Sequence, residues 1–151
     1  MSNGSVVSIC IGPVRGKALS SVGEVRAVAG QGLEGNRYFN KSGSKPKPDQ
    51  ELTLIEIEAI EEYRRVSGNK LNPADARRNV ITRGVSLNEL VGREFQVGDV
   101  RVRGLRLCEP CSHLARLTGQ KEIVRGMAHR CGLRAQILTD GLIRVGDEVI
   151  A

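Results

Sequence analysis

The chain has no tryptophan and only four other aromatic residues, Tyr38, Phe39, Tyr63 and Phe95. Proteins that hold single-stranded nucleic acid stack bases on aromatic side chains interleaved with a basic stripe. That equipment is missing, so nucleic acid is not expected as a partner. Long apolar runs are absent as well. No stretch approaches the ~20 residues needed to cross a bilayer, and a membrane is not expected either. Met1-Ser2-Asn3-Gly4 lacks the basic start and apolar stretch of a secretory signal, so the expected location is cytoplasmic, with reduced thiols. Cysteine is sparse: Cys10, Cys108, Cys111 and Cys131 are too few and too unevenly spaced for a disulfide framework. Lysine is scarce beside arginine, 6 against 17.

That last imbalance is informative. The net charge of +6 is carried mainly by guanidinium groups, which grip phosphate and carboxylate in two-point geometry where lysine acts as a point charge. An anionic partner follows, and the shortage of aromatics favours a small phosphorylated ligand. A chain of 151 residues fits one domain, residues 1–151, with enough mass to bury a core without staples.

The punctuation is that of a β-rich domain with helical inserts. Val6 to Ile11 and Gly23 to Ala29 read as strands, the second alternating Val25, Ala27 and Ala29 against Glu24, Arg26 and Val28. Gly30 to Gly35 is a glycine-dense turn, and 40–50 is a polar loop whose lysines are expected to be solvated. Thr53-Leu54-Ile55-Glu56 has capping-box form, and Ile57, Ile60, Tyr63 and Val66 recur on one face, predicting an amphipathic helix to about Ser67. Arg77 to Thr82 reads as a strand. Ser86-Leu87-Asn88-Glu89 predicts one short capped turn closed by Gly92. Val100 to Leu107 is an alternating strand. Ser112 to Gly119 and Lys121 to Ala128 read as short helices, the second with Ile123, Val124 and Met127 inward, and Gly132 to Leu138 and Leu142 to Ile150 return to strand. Gly98-Asp99 and Gly146-Asp147 each stand between short β runs as tight-turn signals. Strand-turn-strand units dominate and strand–helix alternation is lacking, which predicts a mostly β protein: a small closed or nearly closed barrel with a few short helices.

Between the strand ending at Leu107 and the helix starting at Ser112 lies Cys108-Glu109-Pro110-Cys111. First-turn N–H groups of a helix lack internal partners and carry partial positive charge, so a sulfur there is favoured as thiolate, the form that attacks, carries sulfur or binds metal. Both cysteines also suit a buried core. Three chemistries are open. Cys-x-Pro-Cys at a helix start has the look of a dithiol redox motif, although a parallel βαβ setting is not read in the residues before it. Cys108, Cys111, His129 and Cys131, with His113 as a substitute, offer a zinc ligand set for a non-catalytic binding module. The third is a single working cysteine in an anion-binding pocket.

For the third, the surrounding residues resemble a family. Asp75-Ala76-Arg77-Arg78-Asn79-Val80-Ile81-Thr82-Arg83-Gly84, Leu90-Val91-Gly92-Arg93-Glu94-Phe95-Gln96-Val97-Gly98-Asp99 and Arg106-Leu107-Cys108-Glu109-Pro110-Cys111 together resemble the core of a MOSC domain, named for the C-terminal region of molybdenum cofactor sulfurase. Gly32-Leu33-Glu34-Gly35-Asn36-Arg37 resembles its early glycine-rich loop, with Asn36-Arg37-Tyr38 where many members carry an acid and a histidine. His129-Arg130-Cys131-Gly132-Leu133-Arg134-Ala135 and Gly141-Leu142-Ile143-Arg144-Val145-Gly146-Asp147 resemble its closing strands. The resemblance implies a mostly β barrel that binds the molybdenum cofactor, molybdopterin, through a cysteine acting as molybdenum ligand or persulfide carrier. By position that cysteine is Cys111. Cys108 is additional to the basic pattern and belongs to a Cys-x-Pro-Cys version seen in short stand-alone members. Arg78, Asn79 and Arg134 match the polar positions; with Arg106 and His113 they are the candidate cofactor-binding residues. The resemblance further implies an electron- or sulfur-donor protein as partner, and the reduction of N-oxygenated compounds as one activity.

Overall fold

In a computed structural model the described residues are 3–39 and 45–151. Residues 1, 2 and 40–44 lie outside them, and with them the reading of the extreme N-terminus and of the first part of the polar loop.

Strand β1 (Gly4–Ile11) pairs with the short β2 (Ser20–Val22) and with β6 (Val80–Arg83). Across β6 follow β5 (Leu52–Glu56), β9 (Leu133–Ile137), β8 (Val100–Leu107), β7 (Glu94–Val97) and β11 (Glu148–Ile150). β11 then pairs back onto β1, Gly4 opposite Val149, so the sheet closes into a barrel with β2 as an outlying flap. Closure removes the unpaired edges a β-rich chain would otherwise expose. A second, three-stranded sheet joins β10 (Gly141–Arg144), β3 (Glu24–Val28) and β4 (Gly32–Leu33). The mostly β barrel expected from the sequence is the fold observed.

Inward-facing aliphatic residues fill the barrel: Leu52 and Leu54 from β5, Val100 and Val102 from β8, Leu133 and Ala135 from β9. A second apolar cluster lies outside the wall, where α1 (Ile57–Ser67), α2 (Ser112–Thr118) and α3 (Ile123–Gly126) cover Ile55 and Ile81. No helix among the described residues is long and apolar enough to cross a membrane.

Several boundaries differ from the sequence reading. Residues 53–56 form strand β5 rather than a capping box, because Leu54 and Ile55 are both fully buried there; Glu56 is the N-cap position of α1, without a side-chain capping bond. β5 and β6 pair in parallel, Leu54 opposite Val80, with α1 in the connection. A crossover unit therefore exists where none was expected. Val66 and Val124 do not point inward; they are 71% and 40% exposed. The strand expected from Arg77 starts only at Val80, and the expected strand from Leu142 to Ile150 is split between the two sheets by the Gly146-Asp147 turn.

Candidate functional site

Four connections converge on a concave pocket of about 170 Å³, which also takes in Thr53 of β5 and Arg134 of β9. The first two are locked together. The loop after β1 and the loop after β4 share two bonds: the Gly12 amide donates to Asn36 Oδ1 at 3.1 Å, and the Arg37 amide to the Gly12 carbonyl at 2.9 Å. These place Asn36, Arg37 and Tyr38 on the pocket wall. Arg37 stacks on the Tyr38 ring, 4.5 Å from its centroid, and donates from Nη2 to the Tyr38 hydroxyl at 2.7 Å. Cation and aromatic fix one another.

The third connection leads into β6. A 3₁₀ turn over Pro73–Ala76 is closed by the Asn72 amide donating to Asp75 Oδ2 at 2.9 Å, and it ends at Arg77 in the left-handed region, φ 63° and ψ 33°. A side chain there costs about 1–2 kcal/mol that glycine would avoid, a form of strain that clusters at functional sites. The strain turns Arg77 and Arg78 to the same pocket. Arg78 is anchored: its Nε donates to the Cys131 carbonyl at 2.8 Å and its Nη2 to the Cys131 sulfur at 3.3 Å. Burial, then the neighbouring charges of Arg37 and Arg78, hold the Arg77 pKa below its ordinary value.

Asn79 is buried, at 6% exposure, and its amide is committed at both ends. Oδ1 accepts from the Thr53 amide at 3.2 Å and the Thr53 hydroxyl at 3.1 Å, while Nδ2 donates to the Cys10 carbonyl at 3.1 Å. It borders the pocket and fastens β5 to β1 behind it. Opposite Thr53 in the β5–β9 register stands Arg134. Its Nη1 donates to the Asp49 carbonyl at 3.1 Å, and its Nε is buried without a partner. A buried N–H left unpaired is costly and points to a missing acceptor.

The fourth connection carries the cysteine motif. Cys108 is 1% exposed, with its amide donating to the Gly132 carbonyl at 2.7 Å, and it does not line the pocket. Gly132, at φ 114°, brings this segment against the Leu54 carbonyl, where a Cβ would collide. Cys111 is exposed and lines the pocket from the N-cap position of α2. Its side chain accepts no capping bond, unlike the sequence expectation; exposure beside arginines is what sets it apart from the buried Cys10, Cys108 and Cys131. Burial pushes the Cys131 thiol up, with Arg78 pulling the other way. Glu109 shares the pocket wall, but its carboxylate takes the His129 amide at 2.7 Å and His129 Nδ1 at 2.8 Å.

Of the residues expected from the sequence, the pocket gathers Cys111, Arg78, Asn79, His113 and Arg134. Arg106 is not among its lining residues; it forks onto Asp49 Oδ2 at 2.9 and 3.2 Å, a bond that holds the Asp49 carboxyl below its ordinary value. The zinc ligand set is not assembled: Cys131 faces Arg78, His129 faces Glu109, and among the described residues no three His, Cys, Asp or Glu side chains are grouped to hold a metal ion. Arg37, Tyr38, Gln50, Thr53 and Arg77 line the pocket without having been singled out. The early-loop run Asn36-Arg37-Tyr38 and the doublet Arg77-Arg78 are the sequence signals that bear on three of them; Gln50 and Thr53 carried none.

Comparison with known proteins agrees with this architecture. The family model for the MOSC domain matches residues 40–150. No curated protein matches the sequence as a relative. Among solved structures, the YuaD protein from Bacillus subtilis is 14% identical with a TM-score of 0.84, covering 99% of this chain and 96% of that one. YiiM from Geobacillus stearothermophilus is 16% identical with a TM-score of 0.75, over 97% and 74%. YiiM from Escherichia coli is 19% identical with a TM-score of 0.70, over 99% and 69%. At these identities the likeness concerns the fold.

Proposed function

The chain belongs to the MOSC domain family, and from that premise we propose that the arginine-lined pocket binds the phosphate-bearing molybdenum cofactor, with Cys111 as metal ligand or as carrier of a transferable sulfur. The observation that carries this reading is the sharing of one pocket by an exposed cysteine and four arginines, Arg37, Arg77, Arg78 and Arg134. A phosphate monoester offers acceptor oxygens on every side, and guanidinium forks are suited to take them in pairs. The unpartnered Arg134 Nε supplies one donor with nowhere else to go. The Gln50 and Thr53 side chains add neutral hydrogen-bonding groups. Drug-sized ligands occupy roughly 300–1,000 Å³, so the pocket takes the anionic end of such a ligand and leaves the rest at its mouth, where Cys111 stands.

When bound, the cofactor would supply a molybdenum centre able to exchange oxygen or sulfur and electrons with a substrate. The chain's own residues neutralise and orient the phosphate, and Cys111 presents its sulfur. As a carrier, Cys111 attacks the outer sulfur of a donor protein's persulfide; the new S–S bond forms on Cys111 as the donor thiolate leaves. As an enzyme, reduction of an N-hydroxylated compound to amine and water consumes electrons and protons that a partner reductase provides. Both uses need the same sulfur in the same place.

Protein produced in cells with intact cofactor synthesis tests the reading. Molybdenum and, after oxidation, a fluorescent pterin should co-purify with the chain. Cys111→Ser should lose the metal while part of the pterin stays, and Arg77→Gln with Arg134→Gln should lose both. Protein free of molybdenum and pterin, or a Cys111→Ser variant with both cofactor loading and thiol reactivity like the parent's, sinks it. Stoichiometric zinc lost in Cys131→Ser or His129→Ala would favour the binding module instead.

A further inference from the structure

The cationic surface continues beyond the pocket. His113 and Arg116 stand three residues apart on α2, hence on one face of that helix, and His113 lines the pocket. The exposed loop between Gly12 and Leu19, both pocket residues, carries Arg15. Desolvation, and then the charges of Arg15, Arg116, Arg77 and Arg37, hold the His113 pKa below its ordinary value.

The distribution of acids sharpens this. Arg26, Arg65, Arg83, Arg101, Arg103, Arg106, Arg130 and Arg144 each stand within 4.0 Å of a carboxylate oxygen. Among the described residues nine arginines have no carboxylate that close: Arg64, Arg93 and Arg125, which do not line the pocket, and Arg15, Arg37, Arg77, Arg78, Arg116 and Arg134, which line it or stand on the segments beside it. Glu109, the one acid on the pocket wall, is turned to His129. Gathering like charges without counter-charges costs free energy, and a bound anion returns it. Four of the last six arginines line the pocket; Arg15 and Arg116 lie outside its lining and have no anion to hold if the ligand ends in a single phosphate.

We infer that the site recognises two linked phosphate groups, one in the pocket against Arg37, Arg77, Arg78 and Arg134 and a second at the rim against Arg15 and Arg116. The ligand class is a diphosphate, either free or esterified to a nucleoside, and the inference rests on the reading that the pocket takes a phosphate. A longer polyanion such as single-stranded nucleic acid is disfavoured because Tyr38 is the sole aromatic lining the pocket, whereas such ligands need successive stacking platforms.

Calorimetric titration of the full chain with inorganic phosphate and with pyrophosphate, at matched ionic strength, tests this. Pyrophosphate should bind about tenfold more tightly, as expected for added charge-assisted bonds at a solvent-exposed rim. In the Arg15→Gln/Arg116→Gln double variant that preference should shrink to about twofold while phosphate affinity is unchanged; both side chains are exposed, so folding is not at stake. ADP should show the same preference over AMP. A preference for pyrophosphate without one for ADP over AMP overturns the ester and leaves free diphosphate. Equal affinity for phosphate and pyrophosphate, or a preference that survives both substitutions, overturns the rim subsite and leaves the pocket reading standing. An oligonucleotide that binds more tightly than either diphosphate, through the same two arginines, overturns the class in favour of nucleic acid. Absence of phosphate binding overturns both readings.

Discussion

Arg77 holds a backbone conformation that glycine adopts freely, and it does so beside two like charges, Arg37 and Arg78. Nothing in the fold requires a guanidinium there, so Arg77→Gly separates stability from binding. Relief of the left-handed strain is worth about 1–2 kcal/mol, and the added freedom of glycine in the unfolded chain takes back roughly 0.5–1. Urea unfolding should therefore show a variant as stable as the parent or up to about 1.5 kcal/mol more stable, while phosphate affinity falls. A variant less stable than the parent by more than that would make Arg77 a structural residue. At this scale the sequence was legible in part. Cys111 stood out because strand end, proline and helix start coincide around it. Arg106 and Arg134 did not separate: they face each other across β8 and β9, yet one side chain turns out to Asp49 and the other lines the pocket. Which arginines lack a carboxylate is a tertiary fact, decided by acids distant in the chain.

Local pattern was read correctly where one face of an element meets one environment, and misread where two elements meet. The segment Thr53 to Glu56 has the spacing of a capping box, but Leu54 and Ile55 are buried on opposite faces of a strand, one in the barrel and one under the helices. Burial on both sides outweighs the local capping preference, and the Glu56 carboxylate instead accepts the Leu87 amide at 3.0 Å. The parallel β5–β6 pair follows from that same shift, since α1 begins only after the strand has run its length. The helical period carries through Ile57, Ile60 and Tyr63, then fails at Val66, in the last turn of α1, which is exposed. Thermal or urea unfolding should make the distinction plain. Ile60→Ala removes a fully buried side chain and should cost about 2–5 kcal/mol. Val66→Lys should change stability by less than about 0.5 kcal/mol. Equal losses would mean that α1 packs as a whole and that the exposed face of its last turn is covered in solution.

The whole molecule depends on a barrel closed through β11 and on a second sheet held against it. Glu51 is where those two bodies are joined by a buried polar group. It stands just before β5, is 2% exposed, accepts the Ile137 amide at the end of β9 at 2.9 Å, and is also hydrogen-bonded by the Gly30 amide in the turn after β3. Burial raises its pKa above the ordinary 4.5, against the pull of those two amides. A carboxyl group with a raised folded-state pKa binds a proton more readily when folded. Its contribution is thus fully present below pH 4.5 and is lost as pH rises through the folded value. Asp49 and Glu94, held low by Arg106 and by Arg103 with Arg101 respectively, and His113, held low first by desolvation, titrate in their own ranges. They are common to the parent and to Glu51→Gln, so the difference in unfolding free energy between the two proteins isolates Glu51. Measured by urea denaturation from pH 4 to pH 8, the parent's stability relative to Glu51→Gln should decline from about pH 4.5 upward and then level off. A difference that grows toward neutral pH would mean that the two amides outweigh burial, and that Glu51 joins the sheets as a carboxylate rather than by drawing in a proton.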